Sequence, residues 1–206
     1  MADALTSAGF VVAIPDYIKF PEGVFPAFVE DIAQAVDWLS RLIDQFADID
    51  DFILMGHSAG AHMGALLVTD RRYLAAHGLP ATTIDAFVGL AGPYAYLPQE
   101  EKYRDIFGNL DDYRRMQPLH FVTGSEPPML LLHGSEDTTV LPVHTRKLAE
   151  KVNCLGGNAA TRFYPQRGHA GLVLALSRIS DQNNDIRSHI LEFLQRVSPG
   201  DPHASE

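Results

Sequence analysis

The sequence predicts an α/β domain built on a mostly parallel sheet. Short, continuous apolar runs alternate along the chain with longer segments of helical period, the pattern of βαβ units. The length of 206 residues fits a single domain, taken here as residues 1–206. A glycine-rich turn stands between a predicted strand and a predicted helix, the kind of position at which open α/β sheets place their chemistry.

The first apolar run is Phe10-Val11-Val12-Ala13-Ile14, closed by Pro15. It is short, continuous and rich in β-branched residues, which predicts a buried strand. After a loop between Pro21 and Pro26, Phe28, Ile32, Val36, Leu39, Ile43 and Phe46 recur at steps of three or four. That spacing predicts one apolar face of an amphipathic helix. Phe52–Met55 is the second predicted strand, followed by the glycine-rich turn and a helix over about Ala59 to Val68. Ala86–Leu90, Met129–Leu132 and Thr161–Tyr164 are the third, fourth and fifth. A helix beginning near Pro142, a residue suited to a first turn, carries Leu148, Val152 and Leu155 and stops at Gly156-Gly157. The last helix places Ile186, Ile190, Phe193 and Val197 on one face; Pro199-Gly200 ends it, and residues 198–206 are expected to be a frayed tail.

Residues 91–128 are longer than a plain crossover needs. They hold Tyr94, Tyr96, Tyr103, Phe107 and Tyr113 among prolines and charges. We expect a partial cover over the sheet's edge, with Tyr94 and Tyr96 facing a substrate pocket; the alternative is that the aromatics merely pack beneath a surface excursion.

Composition narrows the function. Lys and Arg number 16 against 26 Asp and Glu, a net charge of −10, which argues against nucleic acid and anionic lipid as partners. No apolar run approaches the length of a membrane span. The one cysteine, Cys154, cannot make an internal disulfide, and this fits the cytoplasm. There is no H-E-x-x-H, no cysteine pair and no phosphate-loop motif, so metal and nucleotide cofactors are not expected.

Gly56-His57-Ser58-Ala59-Gly60 is a G-x-S-x-G motif between a strand and a helix. A serine on so sharp a turn stands exposed at the sheet's carboxyl edge, and flanking glycines remove Cβ atoms that would clash there. The N–H of Ala59 is then placed to meet a developing oxyanion at the helix N-terminus. From the chain's composition, chance would supply roughly 0.06 such motifs. A serine hydroxyl needs an adjacent base. Among nine histidines, His169 sits in the glycine-flanked loop Gly168-His169-Ala170-Gly171 after the fifth predicted strand and is the candidate base. His57 adjoins the serine and is expected to point away; His62, one turn on, is expected to pack or cap. The acid that orients an imidazole should follow a strand between serine and histidine, which selects Asp137 in His133-Gly134-Ser135-Glu136-Asp137, with Glu136 as its competitor.

On these stretches, together with Asp16-Tyr17, Phe25-Pro26-Ala27-Phe28 and Leu90-Ala91-Gly92-Pro93-Tyr94, the chain resembles esterases and lipases of the α/β-hydrolase superfamily. The nearest resemblance is to bacterial carboxylesterases related to the hormone-sensitive-lipase, feruloyl-esterase-like and kynurenine-formamidase groups. It implies a three-layer α/β-hydrolase fold and cofactor-free hydrolysis of small-molecule carboxylic esters, short-chain or aryl, through an acyl-enzyme. Those families carry an H-G-G oxyanion loop after their third strand, and this chain has none. Phe10–Ile14 matches their fourth strand. The expectation is therefore an N-terminally truncated version of the fold, or else direct pairing of Phe10–Ile14 with Phe52–Met55, or a partner chain filling the gap. Two other readings stay open: an arylformamidase or other amide or thioester hydrolase, and a catalytically impaired hydrolase-like fragment or binding module. An oligomer is compatible with all of them.

Overall fold

A computed structural model describes residues 2–43, 49, 51–98, 101–108, 113–177 and 185–198. Its centre is a four-stranded parallel sheet of β1 (Ile53–His57), β2 (Ala86–Leu90), β3 (Met129–Gly134) and β4 (Ala159–Tyr164), in the spatial order β1-β2-β3-β4. The register pairs Met55 with Val88, Val88 with Leu130, and Leu130 with Ala160. All four strands match predicted runs to within two or three residues.

Around the sheet, in chain order, lie α1 (Ala2–Thr6), α2 (Ala27–Ile43), α3 (Ala59–Thr69), α4 (Arg72–Ala75), α5 (Glu101–Phe107), α6 (Pro118–Phe121), α7 (Val143–Cys154), α8 (Gly171–Leu174) and α9 (Asp185–Val197). Successive strands add on the same side, so right-handed crossovers place their helices on one face. Strand residues then alternate between two cores. Phe87, Met129 and Leu131 pack with α2, α3 and α7; Val88, Leu90, Leu130 and Leu132 pack with α8 and α9. This is a three-layer arrangement, as the resemblance implied. Close approach of α3 to the sheet depends on Gly64, where a Cβ would stand 2.7 Å from the Phe87 ring.

Three expectations require correction or bounding. Phe10–Ile14 is not a strand: it follows a turn after α1 as irregular chain, with Val11 and Ile14 80% and 76% exposed. It does not pair with β1, and a strand without a hydrogen-bonded neighbour has no ladder to hold it. On α2, Phe28, Ile32 and Val36 are buried, but Leu39 and Ile43 are only half-buried, and Phe46 lies outside the described residues. The predicted stop at Pro199-Gly200 and the expected tail beyond Ser198 also lie outside them.

The described part of residues 91–128 carries α5, a short 3-10 turn at Tyr113–Met116, and α6. Their anchors lie in the body of the domain. The Met116 carbonyl meets His62 Nε2 of α3 at 2.6 Å, and Lys151 Nζ of α7 donates to the Leu119 carbonyl at 2.7 Å. Phe107 is packed against Phe25 and Phe28.

Candidate active site

In a parallel sheet all strand-following loops emerge at one edge, and here the ladder itself extends into them. Ser58 N–H donates to the Leu90 carbonyl at 2.9 Å and Ser135 N–H to that of Tyr164 at 2.9 Å. Ser58 follows β1 directly and has φ 55°, ψ −116°, a left-handed conformation that a non-glycine residue holds only where its surroundings impose it. Gly56 permits the turn: a Cβ there would lie 2.4 Å from the Gly60 carbonyl group and 2.6 Å from Ala61 N. At Gly60 an added Cβ would meet nothing within 4 Å, so only the first of the two flanking glycines is demanded by contact. Ala59 opens α3, and its N–H is among the first-turn donors that no carbonyl of the same helix can reach.

The His169 loop rests on the Asp137 loop. Glu136 N–H donates to the Arg167 carbonyl at 3.1 Å, and a Cβ on Gly134 would stand 2.1 Å from that same oxygen. This seating brings Ser58, His169 and Asp137 together. His169 Nε2 lies 2.9 Å from Ser58 Oγ, and its Nδ1 lies 2.7 Å from Asp137 Oδ2. A carboxylate can only accept, so Nδ1 carries the proton and Nε2 is free to take one from the serine. Asp137 is buried at 2% exposure, and an enclosed carboxylate needs donors. Oδ1 accepts the N–H groups of Thr139 and Val140, each at 2.9 Å. Glu136 is exposed and its side chain plays no part in this array.

Two further histidines stand in the site that sequence reasoning did not place there. His57 does not turn away from the site: its Nε2–H donates to the His169 carbonyl at 3.0 Å, and the two rings lie 4.8 Å apart. Burial holds its pKa below the usual value, against the opposing pull of that carbonyl. His133, fully buried, has Nε2 2.8 Å from the Val140 carbonyl and 3.3 Å from Asp137 Oδ2. Burial lowers its pKa as well. A histidine beside each motif was the available signal, but which backbone group it reaches is not written in local spacing. His62 packs as expected, buried in α3 and held near pKa 4 by burial.

Of the two tyrosines expected to face substrate, Tyr94 is corrected to the core. It is fully enclosed, its side chain filling the space left by Gly89 and Gly92, where Cβ atoms would come within 2.1 Å of its hydroxyl and 2.4 Å of its ring. Its hydroxyl has no hydrogen-bond partner among the described residues. Tyr96 is half-buried, with its ring 5.7 Å from that of Tyr103 and 6.4 Å from that of His144. Among the described residues no group of three or more His, Cys, Asp or Glu is placed to hold a metal ion, and no helix is long and apolar enough to cross a membrane.

The chain is similar to known proteins over most of its length. The model of the BD-FAE family matches residues 1–152. The probable isoprenylcysteine alpha-carbonyl methylesterase ICMEL1 of Arabidopsis thaliana is 26% identical over 198 residues, covering 84% of this chain and 42% of that protein. Esterase LipC of Mycobacterium tuberculosis is 28% identical over 172 residues, covering 73% and 42%. The chain thus spans less than half the length of these curated relatives. Among solved structures, the carboxylesterase Cest-2923 from Lactobacillus plantarum WCFS1 superposes with a TM-score of 0.76 at 18% identity, over 96% of this chain and 77% of that one. Apo Thermogutta terrifontis esterase 2 gives a TM-score of 0.71 at 21% identity, over 85% and 67%. At these identities the solved structures establish a shared α/β-hydrolase fold.

Proposed function

The chain belongs to the BD-FAE family, and from that premise we propose that it is a serine hydrolase cleaving small carboxylic esters, short-chain or aryl, through an acyl-enzyme. The observation that carries the reading is the hydrogen-bonded line from Ser58 Oγ through His169 to Asp137, at 2.9 and 2.7 Å. The names of the relatives, esterases and methylesterases, support the choice of ester over other acyl compounds.

In this reading Ser58 Oγ attacks the ester carbonyl carbon while His169 Nε2 takes the hydroxyl proton. The new C–O bond places negative charge on the former carbonyl oxygen, which the Ala59 N–H receives. Asp137 holds the imidazole in its reactive tautomer and stabilises the imidazolium. Collapse breaks the bond to the leaving alcohol, which departs with the proton from His169. Water then gives a proton to His169 and its oxygen to the acyl carbon; the second collapse frees the acid and returns the proton to Ser58.

The test is hydrolysis of p-nitrophenyl acetate and butyrate by wild-type protein and Ser58→Ala, with fluorophosphonate labelling followed by peptide mapping. The expected result is turnover in the wild type, a loss of at least ~10³-fold in Ser58→Ala, and label on Ser58 alone. Turnover that survives Ser58→Ala, or a folded wild type that neither turns over nor labels at Ser58, would overturn the reading.

A further inference from the structure

The hydrogen-bonded line does not stop at Asp137. Asp137 Oδ2 receives His169 Nδ1–H at 2.7 Å from one side and faces His133 Nε2 at 3.3 Å from the other. The Val140 carbonyl, 2.8 Å from that Nε2, can only accept, so Nε2 carries the proton and forks it between the carbonyl and the carboxylate. Behind the ring, Thr145 Oγ1 lies 2.7 Å from His133 Nδ1. In the neutral ring Nδ1 accepts, so the Thr145 hydroxyl donates to it and fixes the tautomer. Thr145 and His133 are both fully buried, so no solvent competes for these bonds.

We propose that His133, locked by Thr145, is a positioning residue of the same site: it steadies the carboxylate oxygen that His169 uses and limits how strongly that oxygen holds the imidazolium. This rests on the acyl-enzyme reading above. His133 touches neither substrate nor the reacting atoms, and it acts through Asp137. Among the described residues, the other titratable groups facing this pair are His57 and His169 across the site and His144 on α7.

The chemistry gives a direction. A donor to a carboxylate withdraws charge from it; removing the donor leaves more negative charge facing His169 and favours the imidazolium. A residue that merely filled space would not move the titration of His169. The experiment compares wild type, His133→Leu and His133→Gln. The amide of the second can place an N–H where Nε2 stood. Two readouts are taken on protein shown by circular dichroism to be folded. One is the pH dependence of kcat and kcat/KM on p-nitrophenyl butyrate. The other is the titration of the His169 imidazole by NMR, which needs no turnover.

The expected result in His133→Leu is an acid limb, and a His169 midpoint, moved up by about half a pH unit. kcat should fall about tenfold with KM nearly unchanged, and His133→Gln should restore most of each effect. A His169 midpoint unchanged in His133→Leu, or no better restored by His133→Gln, would overturn the inference. Hydrolysis that survives Ser58→Ala would instead sink the acyl-enzyme reading, and the NMR comparison would still decide whether His133 tunes His169.

Discussion

Gly56 and Gly60 flank the same serine, but a methyl group added to each would meet opposite surroundings. At Gly56 it would press on the backbone of Gly60 and Ala61 at 2.4–2.6 Å, and backbone in the first turn of α3 cannot swing aside as a side-chain tip can. At Gly60 it would enter open space in a helix, where alanine is favoured over glycine by about 1 kcal/mol. We therefore expect Gly56→Ala to lower the melting temperature by about 5–10 °C, as an overpacked core site does, and to abolish fluorophosphonate labelling of Ser58. Gly60→Ala should raise the melting temperature by about 2–4 °C and leave labelling intact. Thermal melts and labelling of the two variants side by side check this; equal behaviour would show that the turn does not depend on the Gly56 contact.

Between elements, one buried tether runs from α3 to the 91–128 segment, His62 Nε2 to the Met116 carbonyl at 2.6 Å. His62 is buried and holds a pKa of about 4 against 6.5 in the unfolded chain. Below pH 6.5 the unfolded chain binds a proton that the folded one refuses. The stability this group contributes is therefore complete above pH 6.5 and is lost as pH falls toward 4, by about 3 kcal/mol in all. The burial-lowered pKa values of His57, His133 and His144 act in the same direction. In His62→Gln, which keeps a donor for Met116 but does not titrate, the fall in melting temperature between pH 7 and 4.5 should be visibly shallower than in the wild type; parallel curves would contradict the assignment. The helix carrying His62 was legible from its place after the strand and the G-x-S-x-G turn, and the four sheet strands from their apolar runs, because those signals are local. The tether was not, since it joins residues 54 positions apart. For the same reason Ser58, Asp137 and His169 could be chosen from strand-end positions, whereas the braces His57 and His133 could not. Phe10–Ile14 misled because β-branched composition describes a residue's preference and a strand also requires a neighbour. Tyr94 misled because an aromatic beside glycines reads equally as a pocket wall and as a core plug.

At the scale of the molecule, the two cores flank a four-stranded sheet whose strands and crossover helices interlock, and the stretch 10–19 stands apart from that construction. It has no regular structure, and two of its apolar side chains, Val11 and Ile14, face solvent. What holds it lies at its two ends: Ile18 N–H to Asp31 Oδ2 of α2 at 2.7 Å, with Tyr17 and Ile18 packed against one core, and Phe10 packed against the other beneath α9. Segments with few buried contacts open at low free-energy cost, and a protease cuts what opens. Lys19, its side chain 58% exposed, offers trypsin a site at the end of this stretch. In limited trypsinolysis followed by mass spectrometry, cleavage after Lys19 should precede any cut within α2, α3, α7 or α9. Removing the tether in Asp31→Ala should speed that first cut several-fold while leaving cuts in those helices at their wild-type rate. If a helix is cut first, or if Asp31→Ala leaves the Lys19 site no easier to reach, then residues 10–19 belong to the cooperative body of the domain and their stability must come from contacts other than these.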